Sequence, residues 1–275
     1  MTSPTDAEFD VLPYVDGVGA LLAGTANVIM QLSWPEVGYG VLESPVDSGK
    51  ATLHPVKRFR TTFSYLAVAI LGDDTDRAAY REAVNSSHRQ VRSTPDSPVA
   101  YNAFDPELQL WVAACLYYGF VDVYQQLHGP LDDARADVLY RYSARMGTTL
   151  QVREQMWPAD REAFEKYWTE GLNRVRIDPP VRAYLLSLMR LTFLPRPIRL
   201  LGARASVLFT TAFLPQPFRD ELGLAWTDRD QRGFERRMRL IRFLNALLPG
   251  PIRRMPFNLF LRDVRRRVRT GRPLV

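Results

Sequence analysis

The sequence lacks the residues that form covalent or zinc cross-links within a fold. Cys115 is the single cysteine among the 275 residues, so an intramolecular disulfide and any zinc site that needs two cysteines are excluded. Long apolar runs are also missing. The stretches 63–71 and 110–120 are too short to cross a bilayer as helices. Side-chain packing must therefore supply the stability of this chain.

Lysine is nearly absent, since Lys50, Lys57 and Lys166 are the three lysines of the chain. The formal net charge is nevertheless +6 and the sequence pI about 9.6, so arginine carries almost all of the positive charge. Such a charge is compatible with anionic partners but does not require them. Residues 1–10 are polar and acidic and have no apolar core, which predicts that they are not a signal peptide and that the protein is cytoplasmic.

Signals for β structure are lacking as well. The sequence has no sustained apolar–polar alternation and no Asn-Gly or Asp-Gly hairpin turn. Low-complexity linkers and internal repeats are also absent. The hydrophobic share of 46% and the charged share of 24% are typical of a chain that buries a core. We therefore predict one all-α domain over residues 1–275, with residues 1–12 flexible.

Prolines and aspartates mark where the predicted helices begin. Asp73 and Asp105 are suited to cap helices, and Pro106 fits a first helical turn because its missing N–H needs no partner there. The most apolar helix, 107–128, should be central, with Trp111, Leu116 and Phe120 inside. An irregular segment is predicted over 38–49. The predicted helices cover 15–31, 56–71, 75–91, 107–128, 132–147, 180–195, 197–213, 228–247 and 256–270, and a further one begins at Pro158 and carries Phe164, Tyr167 and Trp168.

Familiar catalytic signatures do not occur: there is no GxGxxG, P-loop, GxSxG or HExxH motif. The arginine runs 236–239 and 265–267 fit either nucleic-acid binding or a solvated helix face, and no nucleic-acid module accompanies them. We expect solvated faces and no nucleic-acid partner. The last helix is amphipathic, with Phe257 and Phe260 beside its arginines. It either rests on a membrane surface or docks on the core; docking is expected, with at most peripheral membrane contact.

Several short motifs follow one another in an order that resembles a known family. Residues 56–62 carry Arg58 and Thr62 one helical turn apart, and residues 88–92 carry the His-x-x-Val-Arg pattern of His88 and Arg92. A tyrosine, an Asp-Pro pair and a Trp-Val pair follow within residues 101–112. Over most of the chain these motifs resemble the MpaB-type oxygenase family, which includes latex clearing protein.

The resemblance implies an all-α fold with a helical core like that of latex clearing protein, comparable to that of the globins, and a haem b cofactor. It assigns His88 as the axial iron ligand, with Arg58 and Arg92 at the cofactor. Arg58 and Thr62 would bind a propionate or line the open side, where O₂ binds, and Glu43 would act as a base. The implied substrate is an apolar, lipid-like small molecule. Without the resemblance, the favoured interpretation of His88 is a capped or solvent-facing histidine.

The sequence departs from the family pattern at two histidines. The family's Ala-His-Pro is here Ser33-Trp34-Pro35, and its Trp-Val-His-Ala-Thr is here residues 111–115, with Ala113 at the histidine position. Two hypotheses therefore stay open. The protein is either a haem-dependent oxygenase, or a helical ligand-binding or scaffold protein that keeps the fold without the chemistry.

Overall fold

A computed structural model describes residues 9–275, with the side chain of Ser48 left out. Apart from one antiparallel bridge between Arg92 and Asn102, this part of the chain has no β structure, so the all-α prediction is confirmed. Most of the predicted flexible segment, residues 1–8, lies outside the described residues. The helices are α1 (Gly17–Leu32), α2 (Pro35–Leu42), α3 (Pro55–Leu71), α4 (Asp74–His88), α5 (Pro106–His128), α6 (Asp133–Ser143), α7 (Arg145–Thr148), α8 (Arg161–Leu172), α9 (Pro179–Met189), α10 (Arg196–Phe213), α11 (Gln216–Leu222), α12 (Asp228–Ala246), α13 (Gly250–Arg253) and α14 (Met255–Arg269).

Local capping explains where many of these helices begin. Asp73 and Asp76 form a reciprocal capping box at the start of α4, and the Asp105 carboxylate accepts the Glu107 N–H at the start of α5. These bonds satisfy backbone donors that the first helical turn leaves unpaired. Within residues 9–275, no helix combines the length and the apolar composition that crossing a membrane requires.

The prediction of an irregular segment over 38–49 is wrong in its first half, because α2 occupies residues 35–42. Gly38 and Gly40 serve close packing within this helix. A Cβ on Gly38 would stand 2.7 Å from the Leu32 carbonyl oxygen, and one on Gly40 would meet the Tyr101 ring at 3.4 Å. Glycine in a helix costs stability relative to alanine, and here it admits a close neighbour.

The predicted helix 180–195 also ends early, at Met189. Leu191 adopts a left-handed backbone conformation with φ of 54°, which a residue with a branched side chain rarely does. The Thr192 N–H returns to the Ser187 carbonyl at 3.0 Å and closes the turn. Nothing in the residue types between 180 and 195 announced this break.

A stack of aromatic rings forms the centre of the core. Trp111 of α5 is fully buried. Its ring lies parallel to that of Trp34 at 4.5 Å and is stacked on that of Trp168 at 5.2 Å. The Trp34 indole N–H donates to the Gly171 carbonyl at 3.0 Å, and the Trp111 indole N–H donates to Met30. The stack thereby joins α1, α2, α5 and α8.

The prediction that Leu116 and Phe120 lie inside the core with Trp111 holds only for Trp111. Leu116 and Phe120 are half-buried. The reason is that α5 has two apolar faces. Trp111 points towards the aromatic stack, whereas Leu116 lies about 140° round the helix and lines a cavity instead.

The last helix docks on the core, as expected. Phe257, Leu261 and Val264 of α14 are buried. The Phe260 ring contacts the rings of Phe59 and Phe63 on α3 at 5.9 and 5.6 Å. The face of α14 that carries Phe257, Leu261 and Val264 is thus used within the chain, whereas Met255 and Leu259 are 50% and 52% exposed.

The packing around Trp111 predicts a steep effect at Gly171. A Cβ on this glycine would lie 2.6 Å from the Trp111 ring, and the rings of Trp34 and Trp168 stacked on Trp111 prevent it from moving aside. We expect Gly171→Ala to lower the free energy of unfolding by about 1–3 kcal/mol, measured by urea denaturation. Gly24→Ala is the matched helical control, because a Cβ there meets nothing within 4 Å. That substitution should raise stability by roughly 0.5–1 kcal/mol; equal effects at the two sites would contradict this account.

Candidate functional site

A cavity of about 330 Å³ lies between α2, α3, α4 and α5, within the usual size range of small-molecule sites. Its long walls come from the second apolar face of α5 and from facing residues of α2, α3 and α4. Aliphatic side chains form much of its lining: Val37, Val41, Leu66, Val84, Leu108 and Leu116. Polar side chains, among them Gln31 and Lys57, also line it. The aliphatic walls suit an apolar part of a ligand.

His88 lines this cavity. It is the last residue of α4, not an interior residue of a helix reaching 91 as predicted. Its ring meets the Phe104 ring edge-on at 6.2 Å, and its Nδ1 is buried without a hydrogen-bond partner in residues 9–275. Burial, and secondarily the charge of Arg58, lowers the pKa of His88 to about 4. The imidazole is therefore neutral near pH 7, the state in which it can act as a metal ligand.

Arg58 and Thr62 line the same cavity from α3. The Arg58 side chain is exposed, and no carboxylate within residues 9–275 lies at ion-pair distance from it. A guanidinium without a protein counter-ion is suited to an anionic group of a ligand. The structure thus brings three of the sequence-predicted residues, His88, Arg58 and Thr62, to one cavity.

Glu43 and Arg92 are not among the residues that line the cavity. Glu43 follows α2, and its Oε2 accepts hydrogen bonds from Ser97 at 2.6 Å and from the Tyr101 hydroxyl at 2.8 Å. Tyr101 does line the cavity, so Glu43 reaches the site only through that hydroxyl. Arg92 is exposed and donates to the Arg89 carbonyl. The roles of both residues stay predictions.

Glu36 is a cavity residue that the sequence analysis missed. It lies in the first turn of α2 and lines the cavity. Arg174 holds its Oε1 at 3.2 Å, while its Oε2 is buried without a partner in the described part of the chain. An unpartnered buried carboxylate oxygen is costly, and it can accept a hydrogen bond or a proton from a ligand. The signal that could have found it is an acidic residue at the start of a short apolar helix.

The two positions where the family pattern has histidine are filled by core residues. Trp34 belongs to the aromatic stack and carries the Arg174 guanidinium over its outer face at 3.6 Å. Ala113 is buried against Gly147, where a Cβ built on the glycine would stand 3.1 Å from the alanine Cβ. Neither position lines the cavity, and the close contact with Gly147 leaves Ala113 no space for an imidazole without repacking.

A bare metal ion and haem differ in how many protein ligands they need. Across residues 9–275, no group of three or more His, Cys, Asp or Glu side chains is arranged to hold a metal ion. Within this part of the chain, a bare ion would therefore find fewer than three such ligands at any one place. Haem brings its own nitrogen donors and needs one axial protein ligand, so a neutral, unpartnered imidazole in an apolar cavity fits it. The missing feature is a hydrogen-bond acceptor for Nδ1, which ligating histidines usually have.

The other two histidines have different surroundings. His54 is exposed and precedes α3. The Nε2 of His128, at the end of α5, lies 3.2 Å from the buried Asp16 carboxylate. His128 thus has a structural partner, and neither residue lines the cavity.

The buried state of His88 predicts a pH dependence of stability. Its pKa is about 4 in the folded protein and near 6.5 when unfolded. Above pH ~6.5 the residue is neutral in both states. Between these two pKa values the unfolded chain binds a proton that the folded chain does not bind. The free energy of unfolding therefore falls as the pH falls through this window. Relative to His88→Leu, wild type should lose up to about 3 kcal/mol across this window.

The measurement is urea unfolding of both proteins at pH values above, within and below that window. Other titrating groups are common to both proteins and cancel in the difference. A difference that does not change with pH would show that His88 is not shielded from solvent.

A family model described as the catalytic domain of "ER-bound oxygenase mpaB/B'/Rubber oxygenase" matches residues 14–243. The uncharacterized proteins Mb2261 of Mycobacterium bovis and Rv2237 of Mycobacterium tuberculosis are each 52% identical to this chain over 255 residues, which cover 93% of this chain and all of each relative. No solved structure matches. The chain therefore belongs to the family of the mpaB and rubber oxygenase catalytic domains.

Proposed function

We propose that this protein is a haem-b-dependent oxygenase that uses O₂ to oxidise an apolar, lipid-like small molecule. One observation carries the proposal: in a member of an oxygenase family, the cavity contains a neutral histidine whose Nδ1 has no partner within residues 9–275. Haem b, when bound, supplies an iron centre that reacts with O₂. His88 would hold the iron, and Arg58 would pair with a propionate.

The remaining cavity residues define what the protein itself contributes. The aliphatic walls, including Leu66, Leu108 and Leu116, exclude water and accept an apolar substrate. Thr62 lies one turn from Arg58 on α3 and offers a hydroxyl to a polar group in the cavity. Glu36 presents the unpartnered Oε2 as the proton acceptor. Tyr101 connects Glu43 to the same space as a second acidic group.

A second function, ligand binding without turnover, is favoured by the two departures from the family pattern. Trp34 and Ala113 stand where the family has histidines, and both are packed in the core. If those histidines are needed for turnover, this chain keeps the cavity and lacks the reaction. A protein that binds haem and consumes no O₂ with any apolar alkene or lipid would support this alternative.

The haem proposal predicts a specific spectroscopic effect of His88. Wild-type protein mixed with haemin should develop a Soret band, and His88→Ala should lose it or regain it on addition of imidazole. His54→Ala should bind haem as wild type does. His128→Ala should too, although its stability should fall because Asp16 loses a partner. A haem spectrum unchanged by His88→Ala would overturn the assignment of the ligand, and a wild type that binds no haem would overturn the proposed cofactor.

A further inference from the structure

The C-terminal half of α12 has a second apolar face that points into solvent. Phe234 and Met238 bury one side of this helix in the core. On the outer side, four further apolar residues are exposed by more than half of their surface. They recur with the i, i+3, i+4, i+7 spacing of a single helical face: Leu240 58%, Phe243 62%, Leu244 52% and Leu247 66%.

The exposed face continues into the segment that follows α12. Ile252 of α13 and Met255 of α14 are each 50% exposed. Both lie near the start of α1, because Asp16 accepts a hydrogen bond from Asn245 of α12 at 2.6 Å, and Gly17 is in close contact with Pro256 of α14. The apolar end face is defined here as Leu240, Phe243, Leu244, Leu247, Ile252 and Met255.

The charge around the apolar end face has one sign. Residues 236–262 contain seven arginines and no aspartate or glutamate. Arg236 and Arg239 are exposed, and the structure gives neither an ion pair within residues 9–275. The arginines near the end of α14 differ, since Arg265 pairs with Asp76 at 2.7 Å and Arg267 with Asp263 at 2.7 Å. Uncompensated positive charge therefore concentrates at the apolar end face.

The first turns of α10 repeat this composition. Leu200 and Leu201 are 67% and 88% exposed, and no acidic residue occurs between positions 178 and 220. Phe209 and Phe213, late in α10, contact Phe234, early in α12, at 6.0 and 5.6 Å. Helices α10 and α12 therefore pack against each other.

We propose that the apolar end face docks on an anionic membrane surface. Leucine and phenylalanine side chains on a helix rimmed by arginine enter the boundary between headgroups and acyl chains, while the guanidinium groups pair with phosphates. The charge argues against a second copy of this chain as the occupant, because two such faces would bring like charges together. This docking does not depend on haem or on the oxygenase reaction.

Vesicle flotation of the full chain tests the proposal. Wild type should float with vesicles of phosphatidylcholine and phosphatidylglycerol in equal parts, and bind far less to phosphatidylcholine alone. Phe243→Ser with Leu244→Ser should weaken binding by roughly tenfold or more per residue. Arg236→Gln with Arg239→Gln should weaken it by roughly fivefold per arginine.

Matched controls come from the same molecule. Arg229 and Arg232 are exposed at the opposite end of α12, so changing both to Gln removes equal charge and should leave binding unchanged. Leu53→Ser with Val56→Ser removes exposed apolar surface elsewhere in the protein and should also leave vesicle binding unchanged. Three results would overturn the proposal. Wild type could bind both kinds of vesicle equally, it could bind neither, or the control variants could lose as much vesicle binding as the test variants. A dimer in light scattering that Phe243→Ser with Leu244→Ser abolishes would also overturn the proposal, since it would assign the face to a second copy.

Discussion

The stacking of Trp34, Trp111 and Trp168 is the constraint on which the site depends. Trp111 occupies one side of α5 and draws α1, α2 and α8 against it. The other side of α5 is left to face α3 and α4 across the cavity. Because the ring stack fixes the rotation of α5 about its axis, it also fixes which residues of that helix become cavity wall. A substitution in the stack would therefore alter the cavity wall, although the substituted residue does not line the cavity.

Much of this fold could be predicted from residue types, because proline and aspartate announce helix starts chemically. Asp73 and Asp105 do what their side chains suggest. The failures occur where tertiary contacts overrule local preference. Gly38 lies inside α2, where the Leu32 carbonyl oxygen leaves no space for a Cβ, and Leu116 is half-buried because α5 has two apolar faces. In the site, the motif drew attention to His88, Arg58 and Thr62, whereas Glu36 depends on a neighbour, Arg174, that lies far away in the chain.

His88 shows how the surroundings decide the chemistry of a side chain. An exposed histidine would be partly protonated near neutral pH and would have water as its partner. Burial in the cavity disfavours the charged imidazole, and the nearby Arg58 charge opposes a second positive charge. The result is a half-buried imidazole whose Nδ1 is buried without a partner in residues 9–275, which costs folding free energy. A ligand that bonds to the imidazole would offset that cost, as would a water molecule in the cavity.

Arginines of α14 and of α12 differ in whether an acidic residue pairs with them. This difference indicates where an anionic partner would bind. Arg265 pairs with Asp73 and Asp76 and thereby fastens the last helix to the core. Arg266 and Arg267 pair with Asp263 within α14 itself. Arg236 and Arg239, which precede Phe243 in α12, form no ion pair within residues 9–275. A cluster of large exposed apolar side chains marks an interaction surface or a site of aggregation. An apolar substrate and an apolar docking face would have the same origin if the protein draws its substrate from a lipid phase. A cavity that receives a water-insoluble molecule gains most when the protein already rests where that molecule dissolves.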